Sequence, residues 1–207
     1  MTHPDLILRK QLLIEQTRNV SFNLLNLNCW PLWNKVANRI LSEQQGELQE
    51  EQRFDLHRVM AQQLIEDLWQ VAQIKSSKNP IIISGGGVFY SDAMEELSNF
   101  AIKHNIPVTQ TVMGYSTMKR DHSHYAGQIG GLGGKNTNSL AKKTDLAIAV
   151  GTKLADFTTG SWANFENQNF KLVSINVSRF DANKHLAQAV VGDAKVSLNE
   201  LSIALGD

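Results

Sequence analysis

Residues 145–151 read DLAIAVG, and nearly every position is apolar. A strand with one wet face alternates apolar and polar residues, whereas a run this continuous belongs to a strand covered on both faces. Similar short runs recur along the second part of the chain: PIIIS (80–84) behind a proline, IPVTQTV (106–112), KLVSINV (171–177) and AVVGD (189–193). Between them lie segments of helical character. DAMEELSNFAIKHN (92–105) places Met94, Leu97, Ala101 and Ile102 on one face. NTNSLAKKT follows a glycine-rich stretch with Asn136 as its expected N-cap. DANKHL begins a short helix in which Asp181 is expected to cap, and AKVSLNELSIAL closes the chain with another. Strand and helix alternate about five times, which predicts an α/β domain with a Rossmann-like parallel sheet flanked by helices.

The chain changes character near residue 78. Residues 1–78 hold one glycine, Gly46, and the remaining thirteen lie beyond. The first part reads as an N-terminal helical extension, with Leu6, Leu8, Leu12 and Leu13 near helical spacing, a break at Trp30-Pro31 and a polar connection over Ser42–Gln52. From Phe54 to Lys75 apolar residues recur at three and four, marking one face of an amphipathic helix. The expected organisation is a helical extension over 1–60 and a globular domain over 61–207. Lys+Arg and Asp+Glu balance at 20 each, so the basic surplus of a nucleic-acid binder is missing. Cys29 is the sole cysteine, which excludes an internal disulfide and fits a reducing compartment. No run of 18 apolar residues exists, and MTHPDLILRKQLLIEQ lacks the pattern of a signal peptide. A cytoplasmic protein without membrane or nucleic-acid partners is the expectation.

Ligands of open parallel sheets bind outside the carboxyl ends of the strands, so the residues after each strand are the candidates. Ser84-Gly85-Gly86-Gly87 follows the first, and its amides could meet an anion at the start of the next helix. The alternative is a tight turn without a ligand. Met113-Gly114 follows the second, with a plain loop as the alternative. Residues 124–138, HYAGQIGGLGGKNTN, crowd five glycines into eight positions, which suggests a close approach of backbone to something else; a flexible loop is the bland reading. After DLAIAV come Gly151 and Asp156, and DFTTGSWANF (156–165) is an unusual polar and aromatic stretch at that place. His122 and His124 have no clustered partners, so no zinc site is expected. No G-x-S-x-G elbow or complete Walker A pattern occurs, and no catalytic residue is assigned.

Taken in order, NPIIISGGG, IPVTQTVMG, HYAGQIGGLGGKNTNSLAKKTDLAIAVGTKL, INVSRFDANKH and VVGDAKVSLNEL resemble the middle domain of thiamine-diphosphate-dependent enzymes of the acetolactate-synthase superfamily. GGGVFYSDA, AVGTKLADFTTGSWANF and NVSRFDANKH are similar, more narrowly, to the trihydroxycyclohexane-dione hydrolases, ring-opening enzymes of myo-inositol breakdown. The resemblance covers about residues 65–207. It implies an enzyme in which a thiamine carbanion attacks a ring carbonyl and assists carbon–carbon cleavage with water. Thiamine diphosphate and Mg²⁺ are held in that family by two other domains, one with an activating glutamate and one with Gly-Asp-Gly followed by Asn-Asn. Here Gly192-Asp193 is followed by Ala194, Gly206-Asp207 ends the sequence, and no Asn-Asn pair occurs. The resemblance therefore implies a central domain, inactive alone, whose partners are the remaining domains of the enzyme or a second copy in a homo-oligomer. Some members hold FAD or ADP in this domain, which would make Gly85, Gly86, Gly87, Met113, Gly114, Gly151 and Asp156 a nucleotide rim. Lys153 and Leu154 stand where flavin-binding relatives have arginine and phenylalanine, and Asn176 and Ser178 stand near an acidic position; these departures weaken a flavin site. A stand-alone nucleotide-binding module (ADP, FAD or NAD) and an inert gene fragment are the alternatives.

Overall fold

The computed structural model describes residues 70–206. The expected extension over 1–60, and the amphipathic stretch from Phe54 up to residue 69, lie outside the described residues. Residues 70–76 are helical. The unit Gln73–Asp207 then runs β1 (Pro80–Ser84), α1 (Gly86–Tyr90), α2 (Met94–Lys103), β2 (Val108–Gln110), β3 (Tyr125–Gln128), α3 (Lys135–Lys143), β4 (Leu146–Val150), α4 (Asp156–Thr159), β5 (Lys171–Asn176), α5 (Arg179–Ala182), a 3₁₀ turn at Lys184–Leu186, β6 (Gln188–Val191) and α6 (Ala194–Leu205). The six strands form one sheet of order β3-β2-β1-β4-β5-β6, and every pairing is parallel. The expected α/β fold is therefore the observed one. The order reverses between β1 and β4, which makes their carboxyl ends the topological switch point.

The continuous apolar runs become the central strands because both their faces are covered. All five residues of β4 are buried, as are the last four of β1. Side chains alternate across the sheet. Ile81, Ile83, Ala147, Ala149 and Leu172 form a core with Ile129, Ala141 of α3 and Leu154, and Leu140, Trp162, Phe165 and Phe170 pack against it. The alanines of β4 leave room there for the aromatic rings. Elsewhere α2 and α6 pack together, and α6 lies against β5.

Four local expectations differ. Residues 125–128 form a sixth strand inside the glycine-rich stretch. That strand is short, lies at the sheet edge, pairs with β2 in shifted register and contains Gly127 at φ +97°, so it carries no apolar signature. Asn136 lies inside α3, whose cap is Gly134 without a side-chain bond. Asp181 also lies inside its helix. The cap is Ser178, whose hydroxyl accepts from the Asp181 amide. Asp156–Thr159 is a single helical turn rather than a loop.

The amino end of the sheet is fastened by Asp145. Its carboxylate accepts from the Ser77 hydroxyl and from the amides of Lys78 (2.8 Å) and Asn79 (3.0 Å). Burial disfavours its charged form, but these donors outweigh that and hold the carboxyl below the ordinary aspartate value.

Candidate functional site

The loops at the carboxyl ends of β1, β2 and β4 meet backbone to backbone. The Gly85 amide donates to Val150 O and the Gly87 amide to Gly151 O, both at 2.9 Å. A Cβ on Gly87 would lie 2.6 Å from Gly151 Cα, and one on Gly85 would lie 2.4 Å from Gly151 O. No side chain fits between these segments. The expectation of amides free to meet an anion therefore differs from the structure at Gly85 and Gly87, where sheet-to-loop bonding engages them. Gly151, at φ +61°, makes the turn that allows this approach.

The loop after β2 is fixed just as closely. The Thr111 amide donates to Ser84 O at 2.9 Å, and the Gly114 amide to the Thr111 carbonyl and hydroxyl at 3.0 Å. A Cβ on Gly114 would lie 2.1 Å from Ser84 O. Below it, the buried Ser84 and Thr117 hydroxyls bond at 2.6 Å, Thr117 donates to Gly114 O at 2.7 Å, and the Gln110 side-chain amide donates to Met118 O at 2.9 Å. This network satisfies the inner polar atoms and turns the Met113 side chain outward, 74 % exposed. Gly86 lies under it: a Cβ there would sit 3.6 Å from Met113 Cβ and 3.7 Å from the Tyr90 ring.

The structure thus brings Gly85, Gly86, Gly87, Met113, Gly114 and Gly151 together. Asp156 stands apart, exposed in the first turn of α4. That turn is what the glycine-rich stretch approaches. The Gly131 amide donates to Phe157 O at 2.8 Å, and a Cβ on Gly130 would lie 2.3 Å from Phe157 O. Asn138 holds the stretch from α3, accepting from Gly130 N and donating to Gly130 O, both at 3.0 Å. Asn138 escaped the sequence reading because its partner is a backbone eight residues away, which no local spacing announces.

The rest of DFTTGSWANF is a strained turn. Gly160, Ser161 and Trp162 all have left-handed φ, of 61°, 53° and 68°. For each non-glycine residue this costs about 1–2 kcal/mol. The Trp162 ring offsets that cost by packing against Phe165, Phe170 and His185 at centroid distances of 5.5, 6.4 and 4.6 Å. The Thr159 hydroxyl accepts from the Trp162 amide, and the buried Asn164 fills the space beside Gly160. The turn is an anchor, with the Thr159 hydroxyl and Asn164 side chain bonded inward and Asp156 and Ser161 exposed.

At the end of β5, Asn176 donates to Thr152 O at 3.2 Å and accepts from the Ser178 amide at 2.9 Å. Asp181 pairs with Lys184 at 2.6 Å. That lysine, with Ser178 and Lys153, holds the carboxyl low against the opposing effect of burial. Among the described residues no three His, Cys, Asp or Glu side chains converge as a metal site would require, and no helix is long and apolar enough to cross a membrane.

Comparison with known proteins returns the same architecture. The family model described as thiamine pyrophosphate enzyme, central domain, matches residues 69–201. The chain is 41% identical over 152 residues to the 3D-(3,5/4)-trihydroxycyclohexane-1,2-dione hydrolase of Clostridium perfringens strain 13, covering 72% of this chain and 24% of that protein. It is 44% identical over 142 residues to the same-named enzyme of Clostridium tetani (69% and 22%) and 47% identical over 128 residues to that of Clostridium botulinum (62% and 20%). The chain thus spans a fifth to a quarter of the length of these relatives. A solved X-ray structure, described as that of a candidate thiamin diphosphate-dependent enzyme from Mycobacterium smegmatis, shares the fold. Its TM-score is 0.53 at 20% identity, over 67% of this chain and 27% of that one.

Proposed function

The chain belongs to the thiamine pyrophosphate enzyme central-domain family, and from that premise we propose that it is the non-catalytic middle domain of a ring-opening hydrolase acting on a trihydroxylated cyclohexane-1,2-dione. The observation that carries this reading is the 41–47% identity to enzymes of that name. Its domain begins near residue 61, and it works in the cytoplasm. Thiamine diphosphate, with Mg²⁺, supplies a nucleophilic carbanion and an electron sink when bound to the whole enzyme. The residues described here offer no cradle for it, so the other domains of the enzyme would hold it.

This chain's own contribution is a rigid scaffold. Gly85, Gly87, Gly114 and Gly151 lock the strand-end loops together, and Gly86 and Met113 lie on their outward side, facing the remaining domains of the enzyme. The reading is tested by sequencing the DNA on both sides of the gene and by reconstitution. Flanking DNA encoding the activating-glutamate domain and a Gly-Asp-Gly…Asn-Asn domain, in the same reading frame or in a neighbouring one, is expected. Those domains, mixed with this chain, thiamine diphosphate and Mg²⁺, should consume 3D-(3,5/4)-trihydroxycyclohexane-1,2-dione. Failure to do so in the complete mixture would overturn the hydrolase reading.

A further inference from the structure

We propose that His122 is a proton-operated latch on the edge strand β3. The chain turns into that strand over residues 119–125, and the turn rests on the His122 ring. The His124 amide donates to His122 Nδ1 at 3.1 Å. A ring nitrogen that accepts carries no proton, so His122 is neutral here, with its hydrogen on Nε2. The His124 ring is held from both sides. Its Nε2 donates to Asn105 Oδ1 at 3.1 Å, which ties the turn to the chain just past α2, and its Nδ1 accepts from the Ser123 hydroxyl at 3.0 Å. The same turn opens the pairing of β3 with β2. The Tyr125 amide donates to His122 O at 2.9 Å, and the Val108 amide to His124 O at 2.8 Å.

A proton taken up at His122 Nδ1 turns that acceptor into a donor facing the His124 N–H. The bond breaks, and the amide is left opposite a cation. His124 does not fail in this way. Protonated, it still donates from Nε2 to Asn105, and the Ser123 hydroxyl can turn to accept from Nδ1. The sensitivity therefore belongs to one ring. The titratable or charged groups along this corner are Lys119, Arg120, Asp121 and His124 on the turn, Tyr125 on β3, and Lys103 and His104 at the end of α2. Cations outnumber the single acid, and the two imidazoles lie 5.8 Å apart, so a charge formed on His122 is repelled as well as unbonded. The ring is only partly buried, which leaves it open to solvent protons. Little else holds β3. It has four residues of intermediate burial and pairs with β2 in shifted register. Just past its end, Gly130 and Gly131 are bonded to Asn138 and Phe157. Releasing the latch loosens β3 and, through it, the glycine-rich stretch, while the central strands keep their pairing.

Histidine is the side chain that ordinarily changes charge between about pH 5 and 8. The test is hydrogen exchange on the full 207-residue chain, read by mass spectrometry at about pH 7.5 and about pH 5.5 and corrected for the intrinsic rate at each. In the wild type, protection of residues 122–134 should fall at least about tenfold at the lower pH, the factor expected when a bond is lost and its donor left unpaired. Protection of β1 and β4 should not change. His122→Asn supplies a side-chain oxygen that accepts the same amide and does not titrate, so its protection should be equal at both values. His122→Ala has no acceptor and should be as loose at the higher pH as the wild type is at the lower. Wild-type protection independent of pH would overturn the proposal, as would a loss in His122→Asn equal to that of the wild type. If His122→Asn is loose at both values, nitrogen NMR of the wild-type ring decides. Nδ1 bare at the higher pH, and gaining its proton over the range in which protection falls, supports the latch. Nδ1 carrying the proton of the neutral ring, or protonation without loss of protection, overturns it.

Discussion

At the scale of single residues, the glycines divide by what surrounds them rather than by conformation. Gly114 faces a backbone oxygen at a distance no Cβ tolerates, whereas Gly134 has only the Thr137 hydroxyl within reach, at 3.7 Å. Gly114→Ala should therefore cost about 2 kcal/mol or more, by forcing apart two hydrogen-bonded loops. Gly134→Ala should cost no more than about 0.5 kcal/mol. Chemical denaturation of the two variants measures the difference, and equal effects would show that the β2 loop yields. The same closeness bears on nucleotide binding. With the Gly85 and Gly87 amides already donated to Val150 and Gly151, millimolar ADP or FAD should raise the melting temperature by less than about 1 °C. A ligand at a hundred times its Kd would add roughly 2.7 kcal/mol and move it by several degrees.

At the scale of elements, Asp145 shows how the entry to one strand is fixed by the entry to its neighbour. Its carboxylate joins residues 77–79, before β1, to the start of β4. A carboxyl whose folded value is depressed stabilises the fold above its unfolded pKa of about 3.9, and that stability is lost as pH falls through the folded value. Asp145→Asn should thus lower the melting temperature by roughly 3–8 °C at pH 7 and flatten the dependence on pH below about 4. A variant with unchanged acid sensitivity would contradict the assignment. How far the elements were legible follows from where their signals reside. DLAIAVG and PIIIS announce buried parallel strands because burial on two faces writes itself into composition. Tyr125–Gln128 announces nothing, since an edge strand with intermediate burial and a left-handed glycine needs no apolar run. The strand ends located the glycine rim, but whether those glycines face a ligand or each other is decided by partners 29 to 66 positions away, from Gly87, Gly85 and Ser84 to Gly151 and Gly114. Periodicity does not reach that far.

At the scale of the whole molecule, the relatives are four to five times as long as the part of them that this chain matches. Thiamine diphosphate with Mg²⁺ should accordingly produce no measurable heat on titration into the chain alone. Binding at micromolar affinity would show that a cradle exists outside the described residues. The contact between the loops after β1 and β4 has one more consequence. Most packed contacts are made by side chains, and a change of size on one side can be absorbed by a complementary change on the other. Here main chain meets main chain, so the seam has no adjustable part. Gly85, Gly87 and Gly151 should tolerate no substitution that any second mutation can rescue, and a saturation screen for suppressors should return only revertants at these positions. The apolar side chains a few ångströms outside them would remain free to drift with whatever surface they meet.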